Sequence, residues 1–427
     1  MKPRLLAALL SVAAAARANP FELYGFTPRA TGMGGAMTAV GEDLGASFYN
    51  PAALLGHTKT EFGLGFADTV SNLYVDRASG SSRISTSEVE KSPRFELGLI
   101  FPLGGALLKD RVVIGIGGGH PIGSLVRVQT VDEAHPQFYM YQSKAQRFAL
   151  DAAVGVRIVE GLSLGVGVQV IAEQIGRVNF ALDLASRQFR ARDITVDLNT
   201  VPTPTAGILI EPSDRIKIGF SWRKEAQLYY AQPTSIDLGD LGTLRLDVDG
   251  LAQYWPHVFS LGVSIKVERL LIAMQADYLL WSNAPNDQVH VKVTPSGNVL
   301  QALGLDALLS MESADARMGF SNVLVPHLAL EYVFGAALTL RAGGWVRPSV
   351  VPDQSGISNY LDNFSECLAA GATVSFSDPL EVFTDPVHLD LGGQVIIANP
   401  RSDKKQAAEA RWGGTLFSFS AMLRYLY

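Results

Sequence analysis

Apolar and polar residues alternate with a period of two along most of the chain after residue 60. In the last such stretch, Phe417 and Phe419 fall on one face, whereas Ser418, Ser420 and Arg424 fall on the other. Successive side chains of a β-strand point to opposite sides of its sheet, so this alternation predicts strands that are apolar on one face only. The pattern predicts about fourteen strands, which begin near Thr60, Arg94, Arg111, Ala145, Leu162, Asp193, Ile216, Pro256, Leu270, Pro326, Leu338, Ser365, Pro386 and Gly414.

A soluble β-sandwich and a membrane-spanning barrel share this alternation, so periodicity alone does not separate them. Many of the strands are longer than the usual strand of a globular protein, which favours the barrel. Mean hydropathy is positive, at +0.17, yet no apolar run after residue 18 is long enough for a transmembrane helix. Short turns such as 159–161 and 268–269 alternate with long segments such as 230–254 and 286–325. This asymmetry is typical of outer-membrane barrels, and we therefore predict an all-β transmembrane barrel of antiparallel strands.

Residues 1–18 have the composition of a secretory signal peptide. Lys2 and Arg4 precede an apolar run over residues 5–16, and Ala16-Arg17-Ala18 fits a cleavage site. The run is too short to span a bilayer as a helix, although a retained anchor is the alternative. Loss of the peptide's three basic residues changes the net charge from −6 to −9. An acidic, exported chain of this kind argues against a nucleic-acid partner.

Residues 19–56 are expected to form a unit separate from the barrel, which we place at residues 57–427. From residue 25 onward this unit is rich in Gly and Ala and shows neither strand alternation nor a helical face. A large barrel needs something to fill its lumen, and a compact segment in front of the first strand is a natural plug. The alternative is a flexible leader before the first strand.

Three motifs in this unit carry a resemblance to a known family. They are Arg-Ala-Thr-Gly-Met-Gly-Gly-Ala at residues 29–36, Glu-Asp at 42–43 and Tyr-Asn-Pro-Ala-Ala at 49–53. Their order and spacing resemble the N-terminal hatch of the FadL/TodX family, outer-membrane channels for long-chain fatty acids and other hydrophobic compounds. The resemblance implies a fourteen-stranded barrel and assigns a hatch role to Gly32, Gly34, Gly35, Asn50, Pro51 and Ala52.

The third strand ends in an unusual sequence. Gly117, Gly118, Gly119, His120 and Pro121 follow a regular apolar run, and glycine and proline both weaken a β-ladder. The pattern fits either an ordinary strand end or a hole in the barrel wall. The resemblance favours the hole, because the family's third strand is kinked and opens the barrel sideways. We further expect the hatch around residues 50–52 to lie behind this opening, with His120 in a loop rather than acting as a ligand.

Aromatic residues mark the predicted outer loops. Phe138, Tyr139 and Tyr141 lie in one long loop, and Trp255 follows the next. Such clusters indicate a binding surface, a self-packed cap or part of an interfacial girdle. The resemblance implies a first capture groove for the ligand. Arg147 directly follows the aromatic loop and is expected either to pair a fatty-acid carboxylate or, more plainly, to pair Asp151.

The sequence offers little for catalysis. It contains no nucleophile elbow, zinc-protease motif or phosphate-binding loop, its seven histidines are scattered, and its single cysteine, Cys367, can form no intramolecular disulfide. We expect no metal, no cofactor and no enzymatic activity. A lipid-acting barrel enzyme would need Ser418 or Ser420 to meet His388 from the neighbouring strand.

These observations predict a monomeric channel in the outer membrane of a Gram-negative cell. Its expected partners are membrane lipid and a hydrophobic ligand, either a fatty acid or a hydrocarbon. Uptake would be passive and would involve capture at outer loops, hatch rearrangement and lateral release at the third strand. The alternative is a structural or secretion-associated barrel that transports nothing.

Overall fold

A computed structural model of the chain describes residues 20–77, 91–105, 108–122, 136–141, 148–183, 188–231, 233–285, 290–312, 319–353, 360–378, 385–405 and 408–427. Fourteen antiparallel strands form the barrel: β1 Glu61–Arg77, β2 Arg94–Pro102, β3 Val112–Pro121, β4 Ala149–Val159, β5 Leu162–Asp183, β6 Gln188–Ser213, β7 Ile216–Arg223, β8 Val258–Val267, β9 Leu270–Leu279, β10 Val323–Val333, β11 Leu338–Arg347, β12 Ser365–Phe376, β13 Val387–Lys405 and β14 Ala408–Leu426. Each strand pairs with the next in the chain. The first and last strands also pair, from Glu61↔Leu426 to Arg77↔Ala410, and this closes the ring.

The predicted fourteen-stranded barrel is confirmed. Its largest error in a strand start is six residues, at β14, predicted from Gly414 and found from Ala408. Here β13 and β14 continue past a register shift between Ala398 and Arg401, in a polar stretch that apolar alternation does not reveal. The short turns are found where expected, including residues 160–161 between β4 and β5 and residues 268–269 between β8 and β9. In outer-membrane barrels, short turns of this kind lie at the periplasmic rim.

The two faces of the wall differ in chemistry, as the alternation predicts. Large apolar side chains project outward and are exposed, among them Leu64, Leu97, Val166, Leu261, Leu328 and Leu368. Inward positions on the same strands carry buried polar groups, including Glu61, Glu96, Ser163, Ser264, Glu331 and Thr373. An apolar outer face and a polar inner face suit a barrel with lipid outside and a polar lumen.

The N-terminal segment, residues 20–56, lies inside the ring. It forms the short helices α1 Pro20–Tyr24, α2 Pro28–Gly32 and α3 Ala46–Tyr49, followed by a 3₁₀ helix, Pro51–Gly56. Thr27 caps α2 by accepting a hydrogen bond from the Ala30 N–H. Most side chains of the segment are fully buried. Within the described residues, none of the helices has the length and apolar character needed to cross a bilayer.

Inward-facing glycines of the wall make room for this segment. A Cβ on any of them would touch the segment: Gly63 and Gly98 would meet Leu44, Gly115 would meet Leu54, Gly155 Leu55, Gly165 Pro51, Gly207 Asn50, Gly219 Thr38, Gly262 Ala39, Gly343 Met33, Gly371 Gly32 and Gly392 Pro28. The remaining strands β9 and β10 reach it through Gln275 and Glu331, and α2 contacts β14. A segment that touches every strand of a closed ring from its inner face fills the lumen.

The long segments at the opposite rim form their own layer of structure. Thr243–Trp255 pairs with Ala226–Ala231 and with His290–Ser296, and Thr234–Asp237 pairs in parallel with β5. Two short helices, α4 Asn298–Ala302 and α5 Leu305–Leu309, lie in the insert between β9 and β10. This layer lies at the rim opposite the short turns.

Candidate functional site

The aromatic residues predicted to form an outer groove are buried. Tyr139 is 0% exposed and packs edge-on against Phe320 and Tyr360, with ring centroids 4.5 and 5.4 Å away. Phe138 and Tyr141 belong to the same cluster. These rings are therefore buried rather than exposed, and they pack on one another as a self-packed cap, one of the arrangements that the sequence allows.

Trp255 does not join this cap. Its side chain is also buried, but in a smaller cluster with Ile171 and Ala226, next to the strands of the outer layer. The predicted aromatic site thus divides into two separate clusters. Arg147, the predicted partner of a carboxylate, lies outside the described residues, as does any pairing of Arg147 with Asp151.

A small internal cavity of about 40 Å³ lies between the cap and the N-terminal segment. Its walls are largely apolar, and its lining combines Leu23 of the segment, Met140 of the cap and, from the strands, Val258, Leu279, Val325 and Trp345. Four polar side chains also reach it: Glu22, Asp277, His327 and Arg347. Its composition, apolar with a few converging polar groups, is that of a small-molecule site, whereas its volume is far below the usual range of about 300–1,000 Å³.

Arg347 is the notable polar group of this cavity. Its Nη2 donates to the Tyr141 hydroxyl and to Asp362 Oδ1, both at 3.0 Å. Its Nε and Nη1 are buried and have no hydrogen-bond partner among the described residues. A buried guanidinium with two unpartnered nitrogens can bind a carboxylate. In the sequence, Arg347 falls on the polar face of its strand, and no local signal sets it apart from other inward arginines.

Glu22 approaches the cavity from the segment. Its carboxylate forms an ion pair with Arg223 of β7. Burial raises the pKa of the Glu22 carboxyl above its ordinary value, and the Arg223 guanidinium acts in the opposite direction. Arg223 also lies over the Phe48 ring, 4.2 Å from its centroid. These contacts fasten the start of the segment to the wall beside the cavity.

The glycine-rich motif at residues 29–36 attaches the segment to β10 and β11. Arg29 makes two hydrogen bonds of 2.8 Å to the carboxylate of Glu331 and donates to the backbone oxygens of Gly41 and Glu42. Glu331 is shared with Arg341 of β11 at 2.5 Å. The close approach of Gly34 to Gly344 leaves no room for a side chain, since a Cβ there would lie 2.7 Å from the Gly344 nitrogen. The motif therefore combines a charged anchor with a tight backbone contact.

Asn50 organises the second motif. Its Oδ1 accepts from the Ala52 N–H at 3.0 Å, and its Nδ2 donates to the carbonyls of Thr38 at 2.7 Å and Ile208 at 3.2 Å. Ile208 belongs to β6. Asn50 therefore lies against β6 rather than behind the third strand, which was its predicted position. Its amide instead satisfies backbone groups within the segment and on β6.

The ladder of β3 is more regular than its sequence suggests. Gly117, Gly118 and Gly119 pair with β2 and with β4, so the prediction that they interrupt the ladder is wrong. Their N–H groups remain available for pairing, because glycine weakens a strand without removing a donor. Among the described residues, which omit 142–147, pairing with β4 ends at Gly119↔Ala149, and His120 and Pro121 pair with β2.

Rings of the segment back the inner face of β3. A Cβ on Gly117 would lie 2.8 Å from the Phe26 ring, and one on Gly119 would lie 3.0 Å from the Phe21 ring. His120 is exposed at the strand end and stacks edge-on with Phe148. Aromatic residues of the segment thus back β3 at Gly117 and Gly119, and Leu54 backs it at Gly115, whereas residues 50–52 do not.

The serine–histidine arrangement required by a barrel lipase is absent at the positions named. His388 is level with Arg424 in the β13–β14 register, whereas Ser420 is level with Gly392, four residues along the strand. At about 3.3 Å per residue this separates the rows by about 13 Å. Ser418 lies farther still and bonds to Thr69. These serines are therefore inward polar residues of the wall.

The fold is that of an outer-membrane β-barrel whose own N-terminal segment contacts every strand from inside. Comparison with known proteins gives the family. The family model described as outer membrane protein transport protein (OMPP1/FadL/TodX) matches residues 9–384. The chain belongs to this family, as the motif resemblance indicated, and members of the family are transport proteins rather than enzymes.

Individual relatives are distant in sequence. Alkane uptake protein A of Marinobacter nauticus is 21% identical over 400 residues, 87% of this chain and 82% of that protein. The Pseudomonas putida toluene transporter TodX matches with a TM-score of 0.60 and 15% identity, over 95% of this chain and 99% of TodX. A Pseudomonas aeruginosa FadL homologue matches with a TM-score of 0.55 and 14% identity, over 97% and 98% of the two chains. The structural matches support the barrel fold.

Proposed function

We propose that the protein is a passive outer-membrane channel for long-chain fatty acids or other hydrophobic small molecules. The observation that carries the proposal is the largely apolar cavity between the aromatic cap and the N-terminal segment, with the unpartnered Nε and Nη1 of Arg347 at its edge. The alkane-uptake and toluene-transport relatives support a hydrophobic ligand. The cavity is small in this state, so entry of a ligand requires the cap to open.

Uptake by whole cells tests this function. A Gram-negative host that lacks its own fatty-acid channel would express the protein, and uptake of radiolabelled palmitate and of radiolabelled hexadecane would be measured against empty vector. The proposal predicts uptake of at least one probe above the vector control at equal barrel abundance. Uptake equal to vector for both probes would favour a structural barrel instead.

A substitution of Arg347 tests whether the ligand is a fatty acid or a hydrocarbon. In Arg347→Lys one ammonium group still faces Asp362, but the planar donors that remain free in the wild type are lost. Hydrogen bonds to a charged group contribute about 1.5–3 kcal/mol, so palmitate uptake is expected to fall about tenfold or more. Hexadecane has no carboxylate, and its uptake should not change. Equal loss for both probes would show that Arg347 acts only through the fold.

The proposed route continues from the cavity to the membrane at the edge of β3. Within the described residues, pairing of β3 with β4 stops here at Gly119, and Phe21 and Phe26 of the segment back the wall. Movement of the segment would withdraw these rings and leave a gap beside His120 and Pro121. In this proposal the segment acts as a hatch, and its rearrangement couples the cavity to the lipid.

Gly119→Val tests the β3 route. The added side chain would press on the Phe21 ring and narrow the edge, so probe uptake is expected to fall severalfold while the barrel still assembles. Gly393→Val is the matched control, because a Cβ there meets only the Ser418 carbonyl oxygen, at 3.7 Å. Wild-type uptake by Gly119→Val would remove β3 from the route.

A further inference from the structure

A second irregularity of the barrel wall lies between β10 and β11. These strands pair from Val333↔Thr339 up to His327↔Trp345 and no farther. Beyond that point Val323 to Pro326 pair only with β9, and Val346 and Arg347 pair only with β12. The segments that precede β10 and follow β11 meet again where the Ser321 N–H donates to the Val350 carbonyl at 3.0 Å. The wall therefore contains a fork, bounded on one side by His327 and Trp345 and on the other by Ser321 and Val350.

The sequence of β10 fits an edge at this place. Pro326 is the first residue beyond the last β10–β11 pair. Proline has no N–H and is found in sheets at edges and irregular positions rather than between two partners. Unpaired backbone facing lipid is costly unless protein, water or a ligand covers it. A proline at the fork lowers the number of donors that need a partner.

An open groove lies outside the fork. It has a volume of about 500 Å³ and spans β10, β11 and β12 on the lipid-facing side. Its flanks carry Leu328, Leu330 and Leu368, all exposed, whereas its floor consists of the small residues Ala342 and Gly344. The volume lies within the range of about 300–1,000 Å³ that is usual for small-molecule sites.

The internal cavity lies directly inside the same fork. His327 and Trp345 line both the cavity and the outer groove. Val325 and Arg347 face the cavity, and Pro326 and Val346 flank the fork on the outer side. The apolar interior and the lipid-facing groove are thus separated only by the strand residues at the fork.

We propose that the fork between β10 and β11 is a second side port, which binds the chain of the transported ligand across the barrel wall. A linear chain with its carboxylate at Arg347 would pass between Val325 and Val346 and lie over Ala342 and Gly344. The occupant is the tail of a long-chain fatty acid, because the charged group faces inward and the groove outside is apolar. This inference deepens the proposed function and rests on it.

Photolabelling of the purified full-length protein tests the port. The probe is a sixteen-carbon fatty acid with a diazirine at its methyl end, and adducts are mapped by mass spectrometry. Adducts are expected on the groove residues of β10 to β12. Ala342→Trp fills the groove floor and should reduce these adducts severalfold, whereas Ala421→Trp, an outward position on β14, should leave them unchanged. Excess palmitate should compete.

The possible results separate the port from the function beneath it. In one result, adducts that palmitate competes away form only on the cavity residues Met140 or Leu23, and cells that express Ala342→Trp take up palmitate normally. This result would overturn the port and leave the proposed channel function in place. In another result, a diazirine phospholipid gives the same groove adducts and palmitate does not displace them. The groove would then hold ordinary membrane lipid, and the port would again be overturned. Wild-type cells that take up neither palmitate nor hexadecane would refute the proposed function itself.

Discussion

Deletion of residues 19–56 is expected to convert the protein from a closed barrel into a water-filled pore. The strands close the ring without the segment, since β1 and β14 pair along their full overlap. The inward glycines would then face empty space, because the side chains and backbone that now fill it belong to the segment. Lumens of this kind conduct ions when nothing plugs them. Conductance in planar bilayers should rise from near baseline to that of an open pore.

Heat-modifiable migration on gels provides the control for this deletion, because it reports whether the shortened barrel still folds. A folded barrel with unchanged, low conductance would contradict the plug role and return the segment to a leader. A barrel that does not fold would leave the role to be judged from the substitution described next, which keeps the segment in the chain.

Gly392→Val is expected to displace the segment without deleting it. A Cβ at this position would lie 2.3 Å from the Pro28 carbonyl oxygen and 3.0 Å from two further backbone atoms of Pro28. Backbone atoms at the start of α2 cannot rotate away as a flexible side chain can, so the helix must shift. Overpacking of this kind typically costs about 1–3 kcal/mol. We expect intermittent opening of the lumen, seen as discrete conductance steps in single-channel recordings.

The neighbouring residue supplies a matched control. Gly393 is on the same strand but on its other face, where an added Cβ meets only one atom, at 3.7 Å. Gly393→Val should therefore stay closed and fold normally. Equal conductance in the two valine variants would contradict the packing of α2 against β13.

The sequence was sufficient to predict the strands, because a wall with one apolar face imposes its chemistry on every second residue, and strand length and turn asymmetry then favoured the barrel. Strand starts such as Arg94, Leu162 and Leu338 are found as predicted. The motifs of the segment could also be recognised in the sequence, because Arg29 and Asn50 lie among small residues at a characteristic spacing. The largest error of the alternation lies in the polar extension of β13 and β14.

Pairing and burial could not be predicted in the same way. The regular ladder at Gly117–Gly119 depends on β2 and β4, which bring partners that the strand's own composition does not reveal. The burial of Tyr139 depends on Phe320 and Tyr360, far away in the chain. Arg347 likewise becomes distinctive only because Asp362 and Tyr141 use part of its donors and leave the rest free. These features are products of tertiary contact.

A structure of the full-length protein with bound palmitate would test the central claim most directly. The account predicts a chain in an enlarged cavity between Leu23, Met140 and Trp345, with the carboxylate within hydrogen-bonding distance of Arg347. Palmitate bound only at another site would contradict this claim. An unchanged cavity in that structure would also contradict it, if cells that express the same protein take up palmitate.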